Sequence, residues 1–455
     1  MEYTSKQADP SLQRDDHHRL SRHLLPLLTN TPPPYTHTFK NRLRMSEMRN
    51  ERICRSQASR QEKRATRLFV LFLFQFGLLL PLTPILAHSI LISAFTVVLT
   101  MYALVYGLFH ITRSTIFLFC IPLFLLLIKL PFEYSVIGEG SDVGLQFLVG
   151  FLTIGVAGIL FGTVRCSVSY FFKVANKVAW INFLLIGFIP FTSLYGESDL
   201  SINYMKYGYA ILPIVLVAYT NIIRGHTSIA EWGLFLCSLL SMIVFGARGA
   251  QLTFVLFFLV SFLFLSRVRF IWKLLISVVI LIGVFALPYL LTQLISILDQ
   301  YGVSSYPIAK YKELLSGTDF IDTSSGRNFL YEYAYLRILE HPLLGNPFNS
   351  CYVDTSGDYY YYHNVFLDLL VNYGVFITGV GIALLVYVLW SIFTRGTLEE
   401  KHLIIILFII PFGRLMVSSS FWLRPEFWLF LSYSINTFIL QQRRYSSLSV
   451  IRSYK

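Results

Sequence analysis

From Leu68 onward the chain is a succession of apolar runs of roughly 16 to 22 residues separated by polar turns, and runs of this length cross a bilayer as helices. The pattern predicts twelve spans, near 68–86, 89–110, 115–131, 143–163, 178–195, 207–223, 230–246, 250–265, 271–292, 374–394, 402–417 and 427–441. Three stretches fall outside them. Residues 1–66 show no apolar face and read as a disordered basic tail, 293–373 form one long polar loop with short helices, and 442–455 form a second tail. The expected fold class is therefore all-α: a polytopic integral membrane protein with nine helices over 67–292, the large loop, and three helices over 374–441. The first apolar run begins only at Leu68, so no signal peptide is expected, and a start at Met1, Met45 or Met48 fits equally.

Within the loop the pattern resolves further. Asp322-Thr323-Ser324-Ser325 reads as a helix N-cap region, and Leu330, Ala334 and Ile338 give helical spacing up to a stop at Pro342. The stretch from Asn364 to Trp390 is too long for one straight span, which predicts a short helix breaking near Gly374. On that short helix Asn364, Asp368 and Asn372 recur every four residues. Such a polar stripe on an apolar element must face a wet cavity or a partner.

Composition agrees with the pattern: 55% of the 455 residues are hydrophobic and only 14% are charged, which excludes an ordinary soluble globule. The net charge of +12 does not indicate nucleic acid, because residues 1–67 and 441–455 together hold +11 of it. Basic tails beside membrane spans are what cytoplasmic ends carry. With both ends inside, the inner turns hold Arg113, Arg165, Lys173, Lys177, Arg224, Arg267, Arg269, Lys273, Arg395 and Lys401, while most outer loops are acid-rich. That alternation places the long loop outside. The five cysteines are scattered, and Cys351 stands alone in the loop, so no disulfide forms within it.

Four arginines break the charge rule. Arg248 sits in the tight turn Phe245-Gly246-Ala247-Arg248-Gly249, and Arg414 and Arg424 flank the last outer turn. Each is a cation at the hydrocarbon boundary, where arginine either snorkels to lipid phosphate or meets an anion. A planar guanidinium fork suits a diphosphate. Arg327 falls in the first turn of the loop helix, where a cation opposes the helix dipole unless it shares an anion with the free N–H groups. Arg337 reads as an ordinary surface pair with Glu340. His363 is either a cap or a general base held over the cavity that the stripe lines. Tyr359 to Tyr362 form either an interfacial belt or a surface for sugar faces, with Tyr361 and Tyr362 the substrate candidates. No phosphate-binding loop, dinucleotide turn or metal-ligand spacing occurs, so neither cofactor nor metal is expected. Lys129 is the main charge within the spans, and the scarcity of intramembrane carboxylates makes ion-coupled transport the weaker class.

Ser325-Gly326-Arg327 through Glu340-His341-Pro342-Leu343-Leu344-Gly345, followed by His363-Asn364 and Gly374, resembles the shared C-terminal region of the O-antigen ligase and O-antigen polymerase families. The resemblance covers roughly residues 246–390. It implies a membrane glycosyltransferase of the bacterial inner membrane, acting at the periplasmic face on undecaprenyl-diphosphate-linked oligosaccharide, with a chain-length regulator protein as a further partner. His363 matches the family's base, and Arg248 and Arg327 match its diphosphate-holding arginines. Ile377 departs from the ligase pattern, which has a small residue there, and Gly379 is displaced by two. Neither Arg327 nor Arg337 has the glycine eleven positions on that some polymerases show. The leading expectation is a repeat-unit polymerase. A ligase to lipid A–core is the runner-up, and a lipid-linked oligosaccharide flippase is the alternative from another class.

Overall fold

The computed structural model describes residues 60–80 without 76 and 79, 111–136, 143–187 without 165, 204–265 without 227, and 327–453 without 418. It also describes isolated positions between 101 and 109 and between 271 and 312. Nearly all of the basic tail, most of the spans near 89–110 and 271–292, and the N-cap region Asp322–Ser325 lie outside the described residues.

Regular structure among the described residues is helical. A helical segment over 61–75 precedes α1 (Arg113–Val136), α2 (Val143–Gly150), α3 (Val156–Thr163), α4 (Val168–Ile186), α5 (Tyr204–Ile223), α6 (Ile229–Phe245) and α7 (Arg248–Leu265). Then come α8 (Arg327–Glu340), α9 (Ser350–Asp354), α10 (Val365–Arg395), α11 (Leu398–Leu415) and α12 (Pro425–Ser453). A π-helical turn, Phe151–Gly155, joins α2 to α3 without a break. Among the described residues, five segments are long and apolar enough to cross a membrane: Arg113–Pro131, Val143–Thr163, Met205–Ile223, Arg248–Leu265 and Val365–Arg395. The fold is all-helical and multi-pass, as the apolar pattern predicts. Two boundaries move most: α4 begins ten residues before the predicted span at 178, and α12 continues to Ser453 through most of the stretch expected to be a tail. Lys173 and Lys177 lower the local hydropathy there, yet they lie one turn apart on an exposed face while Phe171, Phe172, Ala175 and Ala179 are buried.

Helix α5 is the hub. From Ala210 to Ala218 nearly every residue is buried, and α4, α6, α7 and α11 pack around it. Arg224 at its end pairs with Glu399 at the start of α11 at 2.5 Å, and Tyr209 at its start reaches Gly413 at the end of α11. The two helices therefore run antiparallel. Helices α3 and α12 approach through Gly158 and Gly162: a Cβ on Gly158 would lie 2.4 Å from the Pro425 carbonyl oxygen, and one on Gly162 would meet Ser432. Small residues one turn apart let backbones pack this closely in membranes.

From Arg327 on, the loop has a small core of its own, made of Leu330 and Ala334 from α8, Cys351 from α9, Tyr362, and Val371 from α10. Its anchor is the break predicted at Gly374, where φ is 69° and ψ is 177°. An unbroken helix would bond the Val375 N–H to the Val371 carbonyl. Here the Asn346 N–H donates to Val371 O at 2.6 Å, and the Val375 N–H donates to Pro342 O at 2.7 Å. The His341–Asn346 turn thus satisfies both groups that the break releases, as buried backbone requires. Lys129, about two turns before the end of α1, also holds this turn, its Nζ donating to Leu344 O at 2.8 Å. Gly374→Ala should lose most of the folded protein, because its Cβ would lie 2.2 Å from Leu343 O in a conformation confined to glycine. Size-exclusion yield in detergent checks this; wild-type yield would show that the clamp opens freely.

Candidate active site

The kinked start of α10 fixes the candidate site. Asn364 is its N-cap, accepting from the Phe366 and Leu367 N–H groups, so the chain must turn sharply just before it. His363 makes that turn with φ of 54°, a left-handed conformation uncommon for a residue other than glycine. Its Nδ1 lies 3.3 Å from the Val417 carbonyl oxygen, just beyond α11. A carbonyl can only accept, so Nδ1 carries the proton and Nε2 keeps its lone pair. Burial holds the imidazole below its ordinary proton affinity, and the Arg327 charge pushes the same way against the Val417 bond. His363 is neutral near pH 7 in the tautomer a general base needs.

Around it the bundle gathers cations. The Arg414 guanidinium lies over the Tyr209 ring at 5.2 Å. Arg424 donates through Nε to Ser419. Burial, and after it the repulsion of Arg414, brings Arg424 down to about 10, with Glu426 acting in the other direction. Tyr361 bridges these cations to the histidine: its ring is 4.6 Å from His363, and its raised phenol pKa, set by burial, is pulled back by Arg424 and Arg414. Arg327 opens α8 and has no hydrogen-bond or ion-pair partner among the described residues. Arg248 opens α7, directly after the tight turn that the sequence predicts, and is likewise without a partner among them. Its neighbour Gly249 lies against Tyr209 and Val417, so this turn borders the same place. The side chain of Gln251 fastens the turn by donating to the Met242, Ile243 and Gly246 carbonyls.

The polar stripe lies elsewhere. Asp368 is 2% exposed, with Oδ1 accepting from the Tyr362 N–H at 2.8 Å, and Asn372 is buried beneath the Gly345 turn. Tyr362 is buried, and its hydroxyl donates to Asp354 at 3.1 Å. Asp368, Asn372 and Tyr362 are thus buried in the loop packing and Asn364 caps α10, while Tyr361 lies within the fields of Arg424 and Arg414. Arg337 is not the simple surface pair expected. The Glu340 contact exists at 2.8 Å, but Nε also reaches both Asp354 oxygens at 3.1 Å, and Nη2 lies 2.6 Å from Oδ1. Tyr209, Val417, Ser419 and Asp354 carried no signal in the sequence, because each acts through a contact made only by folding.

Residues 233–380 match the family model described as O-antigen ligase. The match runs from α6 through the loop to the first half of α10, about a third of the chain, and that region is similar to the O-antigen ligase family. No curated protein matches the chain.

Proposed function

We propose that the protein is an O-antigen polymerase of the bacterial inner membrane, joining undecaprenyl-diphosphate-linked repeat units at the periplasmic face, with both termini cytoplasmic. The observation that carries this reading is the half-buried His363, its Nδ1 on the Val417 carbonyl, with Arg327 acting on it and Arg414 and Arg424 beyond Tyr361. The acceptor sugar hydroxyl gives its proton to Nε2 as its oxygen bonds the anomeric carbon of the donor. The bond from that carbon to the diphosphate oxygen breaks, and undecaprenyl diphosphate leaves with the electron pair. Arg248, Arg327, Arg414 and Arg424 stabilise the charge that develops on it. The growing chain is the donor, a new lipid-linked unit is the acceptor, and a chain-length regulator protein is a further partner.

Ile377, which packs against the cluster of Phe147, Phe348 and Trp422, weakens the ligase match, as the missing glycine spacing after Arg327 and Arg337 weakens the polymerase one. The description of the matched family favours the second reading, a ligase that transfers finished glycan to lipid A–core. Deleting the gene in its host separates them. Polymerase predicts lipopolysaccharide bearing one repeat unit on the core, seen as a single band above bare core on a gel. Core with no repeat unit at all would point to the ligase.

A further inference from the structure

Tyr362, the residue before the strained histidine, is pinned at both ends. Its hydroxyl donates to Asp354 Oδ2 at 3.1 Å, and its N–H donates to Asp368 Oδ1 at 2.8 Å. Asp354 ends α9 and is itself clamped by the Arg337 fork from the last turn of α8, 17 residues away in sequence. Asp368 lies one turn inside α10, is fully enclosed, and spends Oδ1 on the Tyr362 backbone, its Oδ2 finding no partner among the described residues. These contacts tie α8, α9 and α10 to one residue. The next residue has φ of 54°, which persists only where the surroundings over-determine it. A fold that needed only to close the loop could do so with the apolar core of Leu330, Ala334, Cys351 and Val371.

We propose that Arg337, Asp354 and Tyr362 are positioning residues: a charge-assisted brace that holds His363 in its left-handed turn, with Nδ1 on Val417 and Nε2 toward the arginines. The proposal rests on the reading of His363 as the base. The brace never meets substrate, because Tyr362 is buried and Asp354 faces inward. It acts on geometry, and a misplacement of about 1 Å in such a group costs about 10²-fold. The groups facing His363 itself are Arg327 from α8, the Tyr359 and Tyr361 rings, and the Val417 carbonyl, with Arg414 and Arg424 beyond Tyr361.

The test is the purified full-length enzyme with lipid-linked repeat units, comparing Asp354→Asn, Tyr362→Phe and Arg337→Lys with His363→Ala. The brace predicts kcat lowered by about 10²-fold in Asp354→Asn and about tenfold or more in Tyr362→Phe, with the KM for lipid-linked donor unchanged. Arg337→Lys should rescue poorly, since an ammonium cannot span both Asp354 oxygens. The acid limb of kcat/KM should also move to higher pH, because a released imidazole regains water and its ordinary proton affinity. If the folded Asp354→Asn and Tyr362→Phe enzymes keep wild-type kcat and acid limb while His363→Ala is dead, the brace is overturned and the base stands. Fewer folded molecules, each with wild-type kcat, would also overturn it. An active His363→Ala enzyme would instead remove the base, and the brace with it.

Discussion

His363→Ala should abolish polymerisation, lowering turnover by about 10²- to 10⁴-fold, the range a positioned general base contributes. Protein level should hold, because the side chain is half-buried and its one structural bond is the 3.3 Å contact to Val417 O. Donor binding should hold as well, since the base acts on the acceptor hydroxyl and the cations that would grip the diphosphate are untouched. The pH profile gives an independent sign. Burial and Arg327 both depress the imidazole, so the active neutral form persists below the usual histidine range, and activity should fall only once pH drops under that lowered value. Arg327→Ala removes one depressing charge and should move the acid limb upward. Polymerisation by purified His363→Ala at the wild-type rate would remove histidine from the chemistry.

Much of this arrangement was legible in the sequence because it rests on local periodicity. The break at Gly374 follows from a run too long for one span, and the α6–α7 turn follows from Phe245-Gly246-Ala247 between two apolar runs. Less was legible where a side chain's role depends on a distant partner. Arg337 sees Glu340 within its own helix, and only folding brings Asp354 to it. Asp368 and Asn372 share a face with Asn364, which suggested a wet lining, yet the Tyr362 backbone and the Gly345 turn cover that face. Adjacent tyrosines part in the same way. Tyr361 and Tyr362 look alike in sequence, and the irregular turn into α10 sends one toward the arginines and the other into the loop core.

The second large effect should appear in the arginines, and it should be graded by geometry. Arg424→Ala and Arg327→Ala each remove a guanidinium that has no carboxylate in salt-bridge contact among the described residues, so each should lower polymerisation by about 10²-fold, as the loss of one donor to a developing oxyanion does. Folding should suffer little from either change. Among the described residues the Arg424 side chain hydrogen-bonds Ser419, and Arg327 opposes its own helix dipole, so its removal relieves an unfavourable contact. Arg424→Lys should recover little activity, because an ammonium cannot make the bidentate contact, and because Arg424, already drawn down to about 10 by burial and Arg414, occupies a place where lysine would surrender its proton more readily. The effect should fall mainly on kcat, since the charge on the leaving diphosphate grows as the glycosidic bond breaks. Turnover assays of the three single variants with purified lipid-linked donor would decide it: a rise in KM alone, with kcat intact, would make these arginines ground-state anchors for the lipid and leave the departing charge without its stabiliser.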